Sequence, residues 1–198
     1  MRSVIHVFVL GVLLSCVGMP LPAGAQEHRG FWIGTGIGLG SVDVSTSDGI
    51  NLPGRARKGA FDILTGWTLS PQFLVGIEFN TVSIGVIHDG VFQNAGVIDL
   101  TGTITYYPRL SSGLFVKGGV GGSFLDDLQD SPAVDVRGIG VGAIVGIGYD
   151  IYLGRNFSLT TAVDFRFSRI SSVTLDGQPG FQDWKHNVLD VTVGIKFN

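Results

Sequence analysis

The chain has 198 residues, so a single domain is the default expectation. Charged residues make up only 15% of it, mean hydropathy is +0.38, and 31 residues are glycine. This composition is apolar for a soluble protein, and so much glycine favours a β-rich chain over a helical one. The formal net charge of −3 argues against a nucleic-acid partner, which would require a basic surface.

The N-terminus has the features of a secretory signal peptide. Arg2 precedes an apolar stretch over residues 4–14, and Ala23-Gly24-Ala25 matches an A-x-A cleavage site. The apolar stretch is too short to span a bilayer as a helix. We therefore predict that residues 1–25 are a signal peptide cleaved after Ala25, and that residues 26–198 form the mature domain.

A second processing route remains open. Leu13-Leu14-Ser15-Cys16 is similar to a bacterial lipobox, which would place a lipid on Cys16. Cleavage after Ala25 would instead remove the only cysteine, so that the mature chain could form no disulfide.

Eight segments after residue 25 alternate between apolar residues and polar residues or glycine. In the clearest of them, residues 96–107, Ile98, Leu100 and Ile104 share one face, and Asp99, Thr101 and Thr103 share the other. A helix would mix these two sets, whereas a strand separates them. The eight predicted strands are 31–40, 61–70, 73–80, 96–107, 114–124, 138–150, 159–168 and 189–197.

The sixth segment, GIGVGAIVGIGYD, allows two other interpretations. A dinucleotide-binding loop would need G-x-G-x-x-G between a strand and a helix, and no helical pattern follows. A GxxxG helix face would need an apolar 20-mer, which Asp135, Arg137 and Asp150 interrupt. The two-residue repeat of its glycines favours a strand.

Strand and connection lengths favour a membrane barrel. Each segment has about 10 residues, the length of a transmembrane β-strand. Short connections (70–72, 108–113, 153–156) alternate with long ones (41–60, 83–93, 125–136, 169–187), as in outer-membrane barrels. We predict an all-β protein, an eight-stranded antiparallel up-and-down transmembrane β-barrel. A soluble β-sandwich is the alternative.

Aromatic residues gather at the short-turn end and favour the barrel over the sandwich. A girdle of aromatic side chains at a membrane interface explains this placement. The predicted girdle consists of Trp67, Phe73, Tyr106, Tyr107, Tyr149, Tyr152, Phe157 and Phe197.

The segments 30–38 (GFWIGTGIG), 113–122 (GLFVKGGVGG) and 191–197 (VTVGIKF) resemble the small OmpA/OmpX-type barrels of Gram-negative outer membranes. The resemblance covers residues 26–198 and implies an integral outer-membrane location. It says little about activity. It also implies the barrel-assembly machinery as a partner, which usually reads a terminal aromatic residue. Here Asn198 follows Phe197, so either the signal tolerates one extra residue or assembly is less efficient.

The polar face of the strands predicts the contents of the barrel. An eight-stranded barrel is just wide enough for side chains to fill, and charges inside it must be paired or hydrated. We predict an interior polar network that holds the barrel closed; the alternative is a narrow, porin-like, weakly cation-preferring pore, because acids outnumber bases six to three. The network residues are Asp62, Glu78, Asp99, Lys117, Asp150, Asp164, Arg166, Asp190 and Lys196.

The long connections carry the remaining candidate residues. Arg55, Arg57 and Lys58 form a basic run that could contact lipopolysaccharide phosphates, although solvated loop charge is the simpler interpretation. Asp126, Asp127 and Asp130 could hold a divalent cation weakly. Neither a metal site nor a cofactor is predicted, because no cysteine or histidine cluster is present.

Enzyme activity is the weakest interpretation. Lipid A deacylases of this size carry a His-x-Ser pair, and His28, His88 and His186 each lack a serine two residues on. A loop-built lipid-modifying site stays open, with His88 and His186 expected in external loops. We expect a non-enzymatic monomer with a structural or surface-interaction role, whose partners are outer-membrane lipids and lipopolysaccharide.

Overall fold

The computed structural model describes residues 29–45, 56–88, 91–127, 136–175 and 178–198. Eight antiparallel strands form a closed barrel in which each strand pairs with the next and the last pairs with the first. The strands are β1 (Phe31–Ser45), β2 (Ala56–Ser70), β3 (Phe73–His88), β4 (Val91–Tyr106), β5 (Leu114–Asp127), β6 (Val136–Tyr152), β7 (Phe157–Leu175) and β8 (Gln178–Phe197). The predicted eight-stranded up-and-down barrel is confirmed. Among the described residues no helix is long and apolar enough to span a membrane.

The strands are longer than predicted at one end. The segment 169–187, predicted as a loop, is mostly strand, since β7 continues to Leu175 and β8 begins at Gln178. Parts of the predicted loops 41–60, 83–93 and 125–136 likewise belong to strands. We call this the upper end of the barrel; the predicted signal peptide lies outside the described residues.

The outer surface carries a continuous apolar band. Its side chains stand on the outward face, for example Ile37 at 69%, Val120 at 72% and Ile139 at 74% exposure. On β1 the band runs from Phe31 to Leu39, about the length that a strand needs to cross hydrocarbon. Above the band the outward positions become polar.

The interior is divided into three layers along the barrel. The upper apolar layer is made of Val42, Val44, Val82, Val97, Leu125, Ile170, Val173, Trp184 and Val188. The lower apolar layer, at the short-turn end, is made of Trp32, Leu74, Tyr107, Phe115 and Ala162. The charged residues form a central polar layer between them. The sequence predicted the polar layer but neither apolar one.

A reversal of the inward and outward faces explains why the sequence did not predict the upper ends of the strands. In the band, apolar side chains face outward; in the upper part, apolar side chains face inward and polar ones outward. Val42 and Val44 are buried while Asp43 between them is exposed. A search for outward apolar residues therefore ends where the barrel leaves the band, although backbone pairing continues.

The aromatic girdle is present without two of its predicted members, Tyr107 and Tyr152. Tyr152 shares the inward register of Asp150 on β6, and its hydroxyl is buried. Trp67, Phe73, Phe157 and Phe197 are exposed on the outer surface at the short-turn end. The rings of Phe157 and Phe197 lie 5.0 Å apart. The prediction was wrong for Tyr107, which is fully buried inside the barrel. Tyr107 follows the end of β4, and its hydroxyl is satisfied by interior partners rather than by the interface.

Candidate functional site

All nine residues of the predicted interior network are buried, with exposed fractions between 0% and 8%. They come from seven strands, β2 to β8, because the inward positions of each strand recur every two residues. Three separate clusters form around the three basic residues.

The first cluster is centred on Arg166 of β7. Its Nη1 donates to Asp99 Oδ2 of β4 at 3.1 Å, and its Nη2 donates to Asp190 Oδ2 of β8 at 2.7 Å. Ser168 Oγ donates to the second oxygen of Asp99 at 3.3 Å. Since β4 and β7 are not neighbours, Arg166 ties opposite walls of the barrel together.

The second cluster is centred on Lys117 of β5. Its Nζ lies 2.7 Å from Glu78 Oε1 of β3 and 2.9 Å from Asp164 Oδ2 of β7. Gly146 of β6 makes room for it, because a Cβ there would collide with Asp164 Oδ1 and lie 3.0 Å from the Lys117 side chain. Gly146, one glycine of the sixth segment, thus leaves space for two charged side chains to pack.

The third cluster lies against the lower apolar layer. Lys196 Nζ pairs with Asp150 Oδ2 and donates to the Tyr107 hydroxyl at 2.5 Å. Tyr107 donates to the same Asp150 oxygen at 2.7 Å, and Thr160 Oγ1 donates to Asp150 Oδ1 at 2.6 Å. The Lys196 ammonium also stands 5.6 Å from the centre of the Phe115 ring. The buried charges of this cluster are therefore well compensated.

A cavity of about 50 Å³ lies between the second and third clusters. Asp62, Lys117 and Lys196 reach it from the polar layer, and Trp32, Leu74 and Phe115 line it from the lower apolar layer. Among the described residues no group of three His, Cys, Asp or Glu side chains is arranged to hold a metal ion.

His186 was expected in an external loop, and that expectation was wrong. It is fully buried on β8, where its Nε2 lies 3.4 Å from Ser123 Oγ and 4.0 Å from Asp99 Oδ1. A hydrolytic triad needs the serine and the carboxylate on opposite ring nitrogens, whereas here both approach Nε2. The inward register that His186 shares with Val188 and Asp190 could have revealed its position.

Of the basic run in the first long connection, the structure describes only the Lys58 side chain. Arg55 lies outside the described residues, and nothing is described of the Arg57 side chain. Lys58 is half-buried and shares the inward register of Ala60 and Asp62. Of the acidic group, Asp130 is outside the described residues, and Asp126 and Asp127 end β5 with side chains that are not described.

A different charged group stands on the outer surface at the upper edge of the apolar band. This outer rim cluster consists of Arg169, Asp183 and Lys185. Arg169 Nε contacts Asp183 Oδ1 at 2.5 Å, and Lys185 Nζ contacts Asp183 Oδ2 at 3.0 Å. Hydrogen bonds from Lys185 and Arg169 hold the pKa of the Asp183 carboxyl below its usual range. Asp183 has a left-handed backbone (φ 50°), which is uncommon outside glycine.

Comparison with known proteins identifies the kind of barrel. The family described as "outer membrane protein beta-barrel domain" matches residues 10–197. The chain belongs to this family. It is accordingly an integral β-barrel protein of the outer membrane, and its apolar band is the surface that faces lipid.

Solved structures of other outer-membrane barrels share the fold. Neisserial surface protein A is 13% identical over 85% of this chain and 97% of its own, with a TM-score of 0.55. Ail, the attachment invasion locus protein of Yersinia pestis, is 12% identical over 85% of this chain and 99% of its own, with a TM-score of 0.51. At these identities the likeness concerns the fold alone. A search of curated proteins finds no match.

Because the apolar band of this family faces lipid, the outer rim cluster can be placed relative to the membrane. Arg169 stands two residues above Phe167 and Lys185 four residues above Leu189, and both of these apolar side chains face lipid. The side chains of Arg169 and Lys185 are 63% and 52% exposed. Two cations and one carboxylate therefore stand at the upper boundary of the outer-membrane barrel.

Proposed function

We propose that this outer-membrane barrel is a non-enzymatic surface protein. In this view the membrane-spanning part is an anchor, and the strands above it display the connections 46–55, 89–90, 128–135 and 176–177 to partners outside the cell. The observation that carries the proposal is the layered interior, in which paired charges are enclosed between two apolar layers. The barrel assembly machinery would insert the chain, which would act as a monomer.

The layers argue against conduction. Trp184, Ile170 and Val97 are each at most 1% exposed in the upper apolar layer. A hydrophobic constriction excludes water, and an ion cannot cross it without losing its hydration. In the central layer the cationic groups of Lys117, Arg166 and Lys196 are bound to carboxylates. Because these charges are paired with each other, they do not require a continuous column of water to solvate them.

Burial argues against catalysis. Ser123 and His186 are both fully buried, and lipid substrates could not reach them without opening the barrel. Their arrangement on one ring nitrogen also lacks the orienting partner that a catalytic histidine requires.

We further propose lipopolysaccharide as a partner, with the outer rim cluster as its contact. Arg169 uses Nε on Asp183, so its two terminal nitrogens remain for a phosphate, and Lys185 has two further protons to donate. Asp183 would keep the two cations side by side. Phe165 and Phe167 below them would contact acyl chains of the same lipid.

Conductance tests the first proposal. The folded protein, identified by its altered migration in unboiled SDS gels, is inserted into a planar bilayer. We expect no steady conductance. A steady cation-selective current that falls when Asp99 or Asp190 is changed to Asn would show that the interior is a pore and would overturn the proposal.

Binding of lipopolysaccharide tests the second proposal, that the outer rim cluster contacts this lipid. Binding of fluorescent lipopolysaccharide is compared for the wild type, the double variant Arg169→Ala/Lys185→Ala, and Arg109→Ala, an exposed arginine in a short turn at the opposite end. We expect weaker binding by the double variant only. Equal binding by all three proteins would remove the rim cluster as a contact.

A further inference from the structure

A groove lies in the outer wall of the barrel at the short-turn end. It has a volume of about 300 Å³ and crosses the seam where β1 pairs with β8, so we call it the seam groove. Outward side chains of four neighbouring strands line it: Ile33 and Thr35 of β1, Ile63 of β2, Phe157 of β7, and Ile195 and Phe197 of β8. Five of these six side chains are apolar, and the groove belongs to the band that faces lipid.

Thr35 makes the depression in the wall. It pairs with Ile63 on one side and with Ile195 on the other, so a short side chain stands between two longer ones. The Thr35 hydroxyl donates to the carbonyl oxygen of Asp62 at 3.0 Å. Because this hydrogen bond is made within the wall, the hydroxyl needs no water or ligand, and the groove suits an apolar chain.

The seam groove lies within one leaflet of the membrane. Along β1, Thr35 stands about 13 Å from Phe31, the first residue of the strand. The hydrocarbon core is about 30 Å thick, so each leaflet contributes about 15 Å. Short turns of outer-membrane barrels face the periplasm, and the groove therefore faces acyl chains of the periplasmic leaflet.

An arginine stands at the mouth of the seam groove on its β7 side. Arg155 is exposed in the turn 153–156, two residues before Phe157. Asn198 N donates to Asn156 O at 3.0 Å, which holds this turn against the end of β8. The guanidinium of Arg155 is thus kept near the level where a lipid headgroup begins.

A second arginine stands on the β1 side of the same mouth. Arg29 is exposed, and Thr68 N donates to the neighbouring Gly30 O at 2.9 Å, which fixes this segment beside β2. Arg29 and Arg155 each have another contact, but a guanidinium has five N–H donors and can hold a phosphate as well. The described residues of the short turns and of 29–30 include Arg29, Arg109 and Arg155 and no aspartate or glutamate.

We propose that the seam groove binds one anionic phospholipid of the periplasmic leaflet. An acyl chain fills the depression at Thr35, and the headgroup phosphate accepts hydrogen bonds from Arg155 and Arg29. A zwitterionic phospholipid has the same acyl chains but brings its own cation beside the two arginines, so the anionic lipid is preferred.

This site is independent of the proposed function. It lies at the opposite end of the membrane-spanning part from the outer rim cluster, and it involves neither conduction nor lipopolysaccharide. Failure of the seam groove as a lipid site would therefore leave the proposed function as it stands.

Photochemical labelling tests the site. The protein purified from the outer membrane is placed in phosphatidylcholine vesicles that contain a small fraction of phosphatidylglycerol with a diazirine in its acyl chain. After illumination, labelled peptides are located by mass spectrometry. We expect about fivefold more labelling of β1 than of β5, the lipid-facing strand on the opposite wall, and a smaller ratio with the same probe on phosphatidylcholine.

The wild type alone can overturn the proposal. Equal labelling of β1 and β5 by the phosphatidylglycerol probe would mean that the groove is ordinary lipid-facing surface. Weaker labelling of β1 than of β5 would mean that a second copy of the chain or another protein covers the groove.

A variant that fills the depression assigns the labelling to the groove. Thr35→Leu should bring the ratio of β1 to β5 labelling close to one. Thr161→Leu is the matched control, because Thr161 also faces outward, donates to a carbonyl of the neighbouring strand and lies outside the groove lining. An unchanged ratio in Thr35→Leu would overturn the proposal.

Arginine variants test the headgroup contact separately. In the double variant Arg29→Gln/Arg155→Gln we expect the phosphatidylglycerol and phosphatidylcholine probes to label β1 equally. Arg109→Gln, in the turn between β4 and β5, should keep the preference for phosphatidylglycerol. A preference that survives in the double variant would show that the two arginines do not hold the phosphate.

Discussion

On β7, Phe167 faces lipid and Arg166 faces the interior, whereas a few residues further up Arg169 faces outward and Ile170 faces the interior. The membrane-spanning part and the projecting part of the barrel are thus built from the same strands with opposite patterns. The first buries charge and exposes apolar surface to hydrocarbon; the second does the reverse, as any water-soluble barrel would.

The two parts of the barrel have opposite patterns because one is surrounded by hydrocarbon and the other by water. In hydrocarbon, an outward apolar side chain costs nothing, and the interior can hold ion pairs. In water, burial of apolar side chains becomes the driving force, and each of Ile170, Val188 and Trp184 contributes about 1.5–3 kcal/mol on being buried. The upper apolar layer therefore gives the projecting part its own core, which would hold the loops on a rigid support.

The largest effect is expected for Arg166→Ala. It leaves Asp99 and Asp190 buried without their counter-ion, which should lower the free energy of unfolding by about 3–5 kcal/mol. Arg169→Ala is the matched control on the same strand, since Arg169 is exposed and should matter little. Urea unfolding in vesicles measures both. Equal losses would mean that Arg166 is not part of a buried network.

The upper apolar layer is tested by a pair of isoleucines. Ile170→Ala should cost about 2–5 kcal/mol, because it opens a cavity in the projecting core. Ile37 faces lipid at 69% exposure, and acyl chains can fill the space that Ile37→Ala leaves. The same unfolding measurement should show a clearly smaller loss for Ile37→Ala. A larger loss at Ile37 would contradict the core assignment.

A smaller effect is expected for Gly146→Ala. The added methyl group must displace Asp164 and disturb its pair with Lys117, at a cost of about 1–3 kcal/mol. Gly59→Ala is the control, because a Cβ at Gly59 meets no atom within 4 Å. Similar unfolding midpoints for the two variants would show that the central layer tolerates the methyl group.

The smallest effect concerns pH. The pKa of Asp183 is lower in the folded protein, so its ion pairs stabilise the fold above its ordinary pKa and are lost as the pH falls through the lowered value. The difference in urea midpoint between wild type and Asp183→Asn should be small at pH 7 and absent under strongly acidic conditions. A difference that grows on acidification would contradict the ion-pair arrangement.

Much of the fold could be predicted because a two-residue repeat is visible in single segments, such as 96–107. The full length of the strands could not be predicted, since the apolar residues change face at the membrane boundary, as Val42 and Val44 do. The burial of Asp62, Asp99 and Arg166 could be predicted from the same repeat. Their ion-pair partners could not be predicted, because the contact of Arg166 with Asp99 joins non-neighbouring strands and depends on the closed barrel.

Accessibility of the projecting strands from outside the cell tests the inverted pattern most directly. Single cysteines are introduced at Phe167, Arg169 and Ile170, and intact cells are treated with a membrane-impermeant maleimide. We predict labelling of Arg169→Cys, with Phe167→Cys protected by lipid and Ile170→Cys by the core. Labelling of Ile170→Cys as fast as Arg169→Cys would show that this part of the chain is an open loop, and the account of a projecting barrel with its own core would be wrong.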